Sequence, residues 1–269
     1  MPHIILLNGA PRKTGNTLRI AEWVAEGAQQ QGADVTVIHL TDERIDHCQG
    51  CETCARTGRC IIQDDHEAIC QQLEQAQGVI VCAPVYGGFY SSVLKTFLDR
   101  LTCTLGFTGR FAHLCAVGVT TARYDFRAKN AKDIAAALGS SWLNPGYVSG
   151  TIHKQVMDTK KSRNIVVSPE NSPRLYAAAI KMGGKLVADI QQEKRGALPL
   201  PVRLLFRHLV LPGIAKILVN EQGKLPFLYQ KMEEQGIINA TLLRRHAAQM
   251  QRLSPDRPWK TGEKVKFTP

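Results

Sequence analysis

With 269 residues, 44% of them hydrophobic, the chain can bury one large core, which suits a single domain or a domain with an appendage. No apolar run reaches the ~18 residues of a spanning helix, and Met1-Pro2 leads into an apolar run without the charged lead or cleavage site of a secretory signal. A soluble, cytoplasmic protein is therefore expected, its eight cysteines ligands or free thiols rather than disulfides. The net charge of +11 is lopsided: residues 1–150 hold 13 Lys/Arg against 14 Asp/Glu, whereas residues 151–269 hold 21 against 9. A basic C-terminal part favours an acidic partner protein over a membrane surface, and with no zinc-finger, RNA-recognition or helix-turn-helix signature no nucleic-acid partner is expected.

Short apolar runs alternate with helical patterns from the start, the sign of a parallel sheet covered on both faces. Strands are predicted at 4–7, 35–40, 79–83, 113–119 and, with a weaker pattern, 143–150; helices are predicted at 17–31, 64–75, 92–105, 128–138 and 173–192. Ser172-Pro173 supplies a cap and a first-turn proline for the last of these. Five strands in this order predict an α/β, flavodoxin-like, doubly wound five-stranded parallel sheet over residues 1–195, with a cysteine-loop insertion at 45–62. Beyond the breaker segment at 196–201 the texture changes to short helices at 202–211, 214–219, 225–235 and 240–253, giving a basic helical extension over 196–269. Arg203 and Arg207 share one side of the first of these, which is expected to pack on its own domain or a second subunit.

Two loops at strand ends carry chemistry. The first strand runs into Asn8-Gly-Ala-Pro-Arg-Lys-Thr-Gly-Asn-Thr17 and a helix follows, so backbone amides and the positive helix end converge on an anion site. The sequence is neither a Walker A loop nor a Rossmann fingerprint, and Arg12, Lys13, Gly15, Asn16 and Thr17 suit a terminal monophosphate such as that of FMN. An ordinary polar turn capped by Asn16 or Thr17 is the plain alternative. The third strand ends in Pro84-Val85-Tyr86-Gly87-Gly88, facing the crevice where a doubly wound sheet binds its ligand. There Gly87 and Gly88 allow close backbone approach to a flat ring and Tyr86 offers an aromatic edge; a glycine-rich turn with surface aromatics is the alternative.

Four cysteines fall within thirteen residues, Cys48-x2-Cys51-x2-Cys54-x5-Cys60. Thiolates three apart in one loop suit a [4Fe–4S] cluster, and Gly58 would let the chain double back to bring in Cys60. Zinc usually takes its four thiolates from two separated knuckles. Reduced thiols packing a small subdomain are the third possibility. Cys70, Cys82, Cys103 and Cys115 lie in helix or strand patterns and are expected to be packing residues, while His47 and His66, flanking the loop, are expected to face solvent.

Gly9-x-Pro11-Arg12-Lys13-x-Gly15-Asn16-Thr17, the cysteine loop, Asp64-Asp65, Pro84-Val85-Tyr86-Gly87 and Lys95-x-x-x-Asp99-Arg100 together resemble the flavodoxin-like NADPH-dependent FMN reductase superfamily. Within it, the iron–sulfur flavoproteins are the most similar group, over about residues 3–140. The resemblance implies that Arg12, Lys13, Gly15, Asn16 and Thr17 hold the phosphate and Pro84, Val85, Tyr86, Gly87 and Gly88 the isoalloxazine. It also implies that Thr120, with Thr121, completes the flavin site, and that the 92–105 helix helps form a homodimer or homotetramer. Ala10 departs from the pattern, standing where the family usually has a phosphate-contacting serine. Lys95 and Asp99 also read as an ordinary i,i+4 surface pair.

Since a flavin carries its own redox chemistry, the absence of a Ser/His/Asp or H-E-x-x-H arrangement is consistent with a redox protein. The leading expectation is an FMN-dependent oxidoreductase with a cluster on Cys48, Cys51, Cys54 and Cys60, fed by NAD(P)H or by a redox partner such as ferredoxin. The rivals are a cluster-free NAD(P)H-dependent reductase of quinones, nitro compounds or metal ions, and a non-catalytic flavin carrier whose basic tail docks an acidic redox protein. The sequence has no separate NAD(P)H fingerprint.

Overall fold

The computed structural model of the chain describes residues 1–101, 109–123, 129–139, 147–158, 163–196 and 225–234, together with residues 238 and 241. Apolar side chains on both faces of β1 (His3–Asn8) make it a central strand, since only a strand covered on both sides reads as a continuous apolar run. It pairs in parallel with β2 (Asp34–His39) and β3 (Gly78–Tyr86). β5 (Cys115–Ala122) and β6 (Tyr147–Gln155) extend the sheet beyond β3, giving the order β2-β1-β3-β5-β6. The doubly wound five-stranded parallel sheet expected from the sequence is therefore present.

One addition was not foreseen. The two residues of β4 (Phe89–Tyr90) fold back antiparallel on the end of β3, pairing Tyr86 with Phe89. Gly87 and Gly88 make this two-residue hairpin, both at positive φ (58° and 89°), where a side chain would be strained.

Helices cover both faces. α1 (Asn16–Gln29) and α6 (Pro173–Gln191) pack on one face over Ile4, Leu6, Ile80, Val117 and Val119. α3 (His66–Gln75), α4 (Ser92–Asp99) and α5 (Lys129–Gly139) cover the other, over Ile5, Leu7, Val79 and Val81. α1 and α6 cross with backbones nearly touching: a Cβ on Gly27 would lie 2.1 Å from the Ile180 carbonyl oxygen. Trp23 and Tyr176 lock the same crossing edge to face at 5.4 Å, and the Tyr176 hydroxyl donates to Glu26 at 2.6 Å.

Several boundaries differ from the sequence reading. The fourth strand runs to Ala122 rather than stopping at 119, and the last strand begins at Tyr147 and continues to Gln155. β6 is an edge strand with half-buried polar residues, so its apolar signal is weak there. α3 starts at His66, two residues late: Asp65 is its N-cap, and Asp64 just before it accepts from the His66 amide and so stays outside the helix. The expected strand and helix residues at 102–105, 143–146, 202–211, 214–219 and most of 240–253, and Cys103, lie outside the described residues.

The chain divides into two units, residues 1–51 with 62–197, and residues 52–61 with 198–269. The first holds the sheet and its helices. In the second, the short α2 (Thr53–Thr57) packs on α7 (Pro226–Glu234), where the 225–235 helix was expected. Left-handed residues bound α2, Glu52 at φ 58° and Gly58 at φ 79°, and a Cβ on Gly58 would meet the Phe227 ring at 2.6 Å. Among the described helices none is long and apolar enough to cross a membrane.

Candidate flavin site

At the carboxyl ends of β1, β3 and β5, in the first unit, lies a cavity of about 520 Å³. Doubly wound sheets bind ligands at this place, and the volume falls within the range of small-molecule sites. One side is the loop from Ala10 through Thr17, the second is Pro84, Val85 and Tyr86, the third Thr121, Ala122 and Arg123, and the fourth Val156, Ile165 and Val166.

The loop is held from below by Asn8. Its Oδ1 accepts from the Ala10 amide at 2.9 Å and from the Cys82 thiol at 3.2 Å, and its amide nitrogen lies 3.0 Å from Nδ1 of His39. The Gly9 amide donates to the Cys82 carbonyl at 2.8 Å, and Ser91, the cap of α4, donates to the Gly9 carbonyl at 2.5 Å. β1, β3 and α4 are thereby tied into one rigid support. Burial pushes the Cys82 thiol well above its usual range, so it stays a neutral donor here.

The start of α1 has the properties of an anion cradle. Gly15 is its N-cap, no side chain caps it, and its first turn has no acidic residue, so the first-turn amides and the positive helix end are left for a ligand. Arg12 lines the cavity and is exposed. Tyr86, 53% exposed, lines the same cavity. A phosphate at one end and a flat aromatic body against Pro84–Tyr86 are what this donor set fits, and FMN has both.

Of the residues singled out from the sequence, Arg12, Gly15, Asn16, Thr17, Pro84, Val85 and Tyr86 line the cavity. Lys13 does not line it; its ammonium pairs with Asp42 at 2.5 Å, a half-exposed ion pair. Gly87 and Gly88 form the β3–β4 turn and lie off the lining. Thr120 is also turned away, its hydroxyl 2.8 Å from Nδ1 of His153, because successive residues of a strand face opposite sides of the sheet. Its neighbour Thr121 faces the cavity and its hydroxyl meets that of Thr17 at 2.6 Å, both side chains buried. Ala122, Arg123, Val156, Ile165 and Val166 were not foreseen. They come from the extension of β5 and from the chain after β6, and no local motif marks them.

The base of the cysteine segment is clamped on the first unit. The buried Arg100, at the end of α4, pairs with the buried Asp64 and also donates to the carbonyls of Asp46 (3.5 Å) and Ile62 (3.3 Å). Asp64 accepts from the amides of Asp46 at 2.8 Å and His66 at 3.2 Å, while Asp65 accepts from the Arg44 amide at 2.7 Å. Burial works to raise the Asp64 pKa, but Arg100 and the two amides outweigh it and hold the carboxyl below its usual value. Between these clamped ends, Cys48 and Cys51 are exposed and belong to the first unit; Cys54 and Cys60 are half-buried and belong to the second.

His66 corrects an expectation: it is buried, not solvent-facing. The Phe97 carbonyl, 3.1 Å away, can only accept, so Nε2 carries the proton and Nδ1 accepts from the Cys70 thiol at 3.7 Å. Burial, with Arg100 nearby, lowers the His66 pKa to about 4. Among the described residues, the ligand-type atoms of His66, Glu67 and Cys70 lie within 4.8 Å of one another. They are nonetheless a packing cluster: burial pushes the Cys70 thiol up to about 12, and Glu67 is taken by Arg110 at 2.6 Å. Cys70, Cys82 and Cys115 are buried, as expected of packing residues. Lys95 and Asp99 form an exposed i,i+4 pair.

Residues 2–154 match the family model for NADPH-dependent FMN reductase. An iron-sulfur flavoprotein of Archaeoglobus fulgidus is 32% identical over 93 residues, 35% of this chain and 42% of its own length. One from Methanosarcina thermophila is 34% identical over 94 residues, 35% of this chain and 49% of its own. The chain thus spans about half the length of these relatives. An iron-sulfur flavoprotein of Clostridioides difficile aligns more widely, 25% identical over 87% of this chain and 99% of its own. Among solved structures, a flavone reductase superposes with a TM-score of 0.53 at 14% identity, covering 73% of this chain and 66% of its own, which speaks to fold alone. The sheet order, the cavity at its switch point and the match over more than half of the sequence agree, and the chain belongs to the NADPH-dependent FMN reductase family.

Proposed function

We propose that this chain is an FMN-dependent oxidoreductase that also carries a [4Fe–4S] cluster on Cys48, Cys51, Cys54 and Cys60. The observation that carries the flavin half is the uncapped start of α1 opening into a cavity that Pro84, Val85 and Tyr86 also line. Bound FMN supplies redox chemistry in one- or two-electron steps. The protein's part is to bind and orient: the first-turn amides of α1 and Arg12 hold the phosphate, and Tyr86 with Pro84 and Val85 flanks the ring. Thr17 and Thr121 close the floor through their mutual hydrogen bond. The cluster half is supported by the sequence spacing of four cysteines within one short segment and by the iron-sulfur flavoprotein names of the relatives. Together the two groups would let the protein receive a pair of electrons from one partner and release single electrons to another.

Two substitutions test the halves separately. Arg12→Ala is expected to weaken FMN about tenfold and riboflavin little, because only FMN has the phosphate that a charge-assisted bond would hold; equal losses would remove Arg12 from the phosphate site. Cys51→Ser, in anaerobically prepared protein, is expected to abolish bound iron and leave FMN in place. Iron retained in serine variants of all four loop cysteines would refute the ligand set.

A second reading rests on a different relative. A Bacillus subtilis protein described as a putative NAD(P)H-dependent FMN-containing oxidoreductase is 32% identical over 108 residues, 38% of this chain and 53% of its own. It favours an NAD(P)H-dependent reductase, a reading under which the cysteines need hold no cluster. Rapid NAD(P)H oxidation by iron-free protein would support that reading over the first.

A further inference from the structure

We infer that Asn16 is a positioning residue, stapling the segment 165–167 against α1 so that it forms the fourth wall of the flavin cavity, rather than a ligand of the phosphate. The inference rests on the FMN reading of that cavity. Asn16 stands at the first position of α1, where a polar side chain after a phosphate loop would ordinarily be assigned to the anion. Its side-chain amide is committed elsewhere. Nδ2 donates to the Ile165 carbonyl at 2.5 Å and Oδ1 accepts from the Val167 amide at 3.0 Å, the paired donor and acceptor that a neighbouring strand would supply.

Arg19, one turn along the same side of α1, completes the staple by donating to the Val167 carbonyl at 3.0 Å. The remaining anchors are the Ile165 amide on the Val156 carbonyl at 2.7 Å and Asn171 Nδ2 on the Val166 carbonyl at 2.7 Å. The side chains of the segment divide between core and cavity. Val167 is fully buried in the core under α1 and α6, while Val166, 63% exposed, joins Ile165 in lining the cavity. Residues 165–168 are themselves neither helix nor strand. The wall also lies beyond residue 154, where the match to the family model ends.

The two roles predict different losses. A phosphate ligand matters to FMN and not to riboflavin, and its removal leaves the flavin-free protein unchanged. A staple matters to both flavins alike and to the flavin-free protein as well. The test is Asn16→Ala in the full chain, read by hydrogen exchange of the 165–168 amides without flavin and by titration with FMN and riboflavin. Exchange at 165–168 is expected to speed up about thirtyfold, the size given by two lost hydrogen bonds of about 1 kcal/mol each, with the loss of affinity the same for FMN and riboflavin. Arg19→Gln, outside the cavity lining, is expected to reproduce the faster exchange and guards against a local folding defect at the helix start. Unchanged exchange in both variants, with Asn16→Ala weakening FMN alone, would overturn the staple. Failure of the unaltered protein to bind either flavin would instead defeat the FMN reading, and the exchange result would still decide the staple.

Discussion

Replacing Arg100 by Met is the sharpest perturbation of the clamp beneath the cysteine segment. The guanidinium is 1% exposed and its partner Asp64 fully buried, so removing the cation leaves a carboxylate in the interior with only the Asp46 and His66 amides to satisfy it. Breaking a buried pair in this way costs about 3–5 kcal/mol, because the stranded charge keeps its desolvation penalty. The lost bonds to the Asp46 and Ile62 carbonyls add to this, and they are the ones that tie the two ends of the cysteine segment to α4. With a denaturant slope of about 2 kcal/mol per molar urea, the midpoint of the first unit should fall by roughly 1.5–2.5 M. Asp64 has a lowered folded-state pKa, so its contribution is present above the unfolded value and lost as pH falls through the lower folded one. In the variant the stranded carboxyl protonates at higher pH, so the gap between the two proteins should narrow on acidification. A midpoint shift below about 0.5 M at pH 7, or a gap that widens toward pH 4, would refute this reasoning.

His66, held neutral with a pKa of about 4, should make the protein lose stability as pH falls from 6.5, since the unfolded chain then binds a proton the folded one refuses. The loss should reach roughly 3 kcal/mol by pH 4 and be absent in His66→Gln, checked by urea unfolding across pH. Thr121→Val should weaken FMN roughly tenfold by removing the Thr17 bond and a polar cavity group, whereas Thr120→Val should leave flavin titrations unchanged. Gly27→Val should lower the melting temperature markedly, because its Cβ would overlap the Ile180 carbonyl at the crossing of α1 and α6; a cost under about 1 kcal/mol would mean the helices separate freely.

The sheet was legible because its central strands are covered on both faces, and runs such as Ile4–Leu7 and Val79–Ala83 can be little else. The continuation of the edge strand β6 to Gln155 was not legible, because buried Ser149, exposed Thr151 and half-buried His153 and Lys154 carry no apolar run. Around the cavity, most of the residues that local motifs singled out in the loop 12–17 and in Pro84–Tyr86 are in the lining, because one turn concentrates glycine, proline and charge there. Lys13 and Thr120 are not, since their directions are set by a partner far along the chain and by strand phase. Val156, Ile165 and Val166 were invisible for the same reason: the bonds that bring 165–167 to Asn16 span about 150 residues, and nothing in their own sequence announces a ligand. Asp64 and Arg100 were visible as motif residues, but only the fold brings them together as a buried pair.

The most direct measurement is the content of flavin, iron and acid-labile sulfide per chain in protein purified without oxygen, with the visible spectrum recorded on the same sample. About one FMN, about four iron and about four sulfide per chain are expected, with resolved flavin bands over a broad cluster shoulder that bleaches on reduction. FMN at about one per chain with iron and sulfide absent would contradict the cluster, and iron without flavin would contradict the assignment of the cavity at the start of α1.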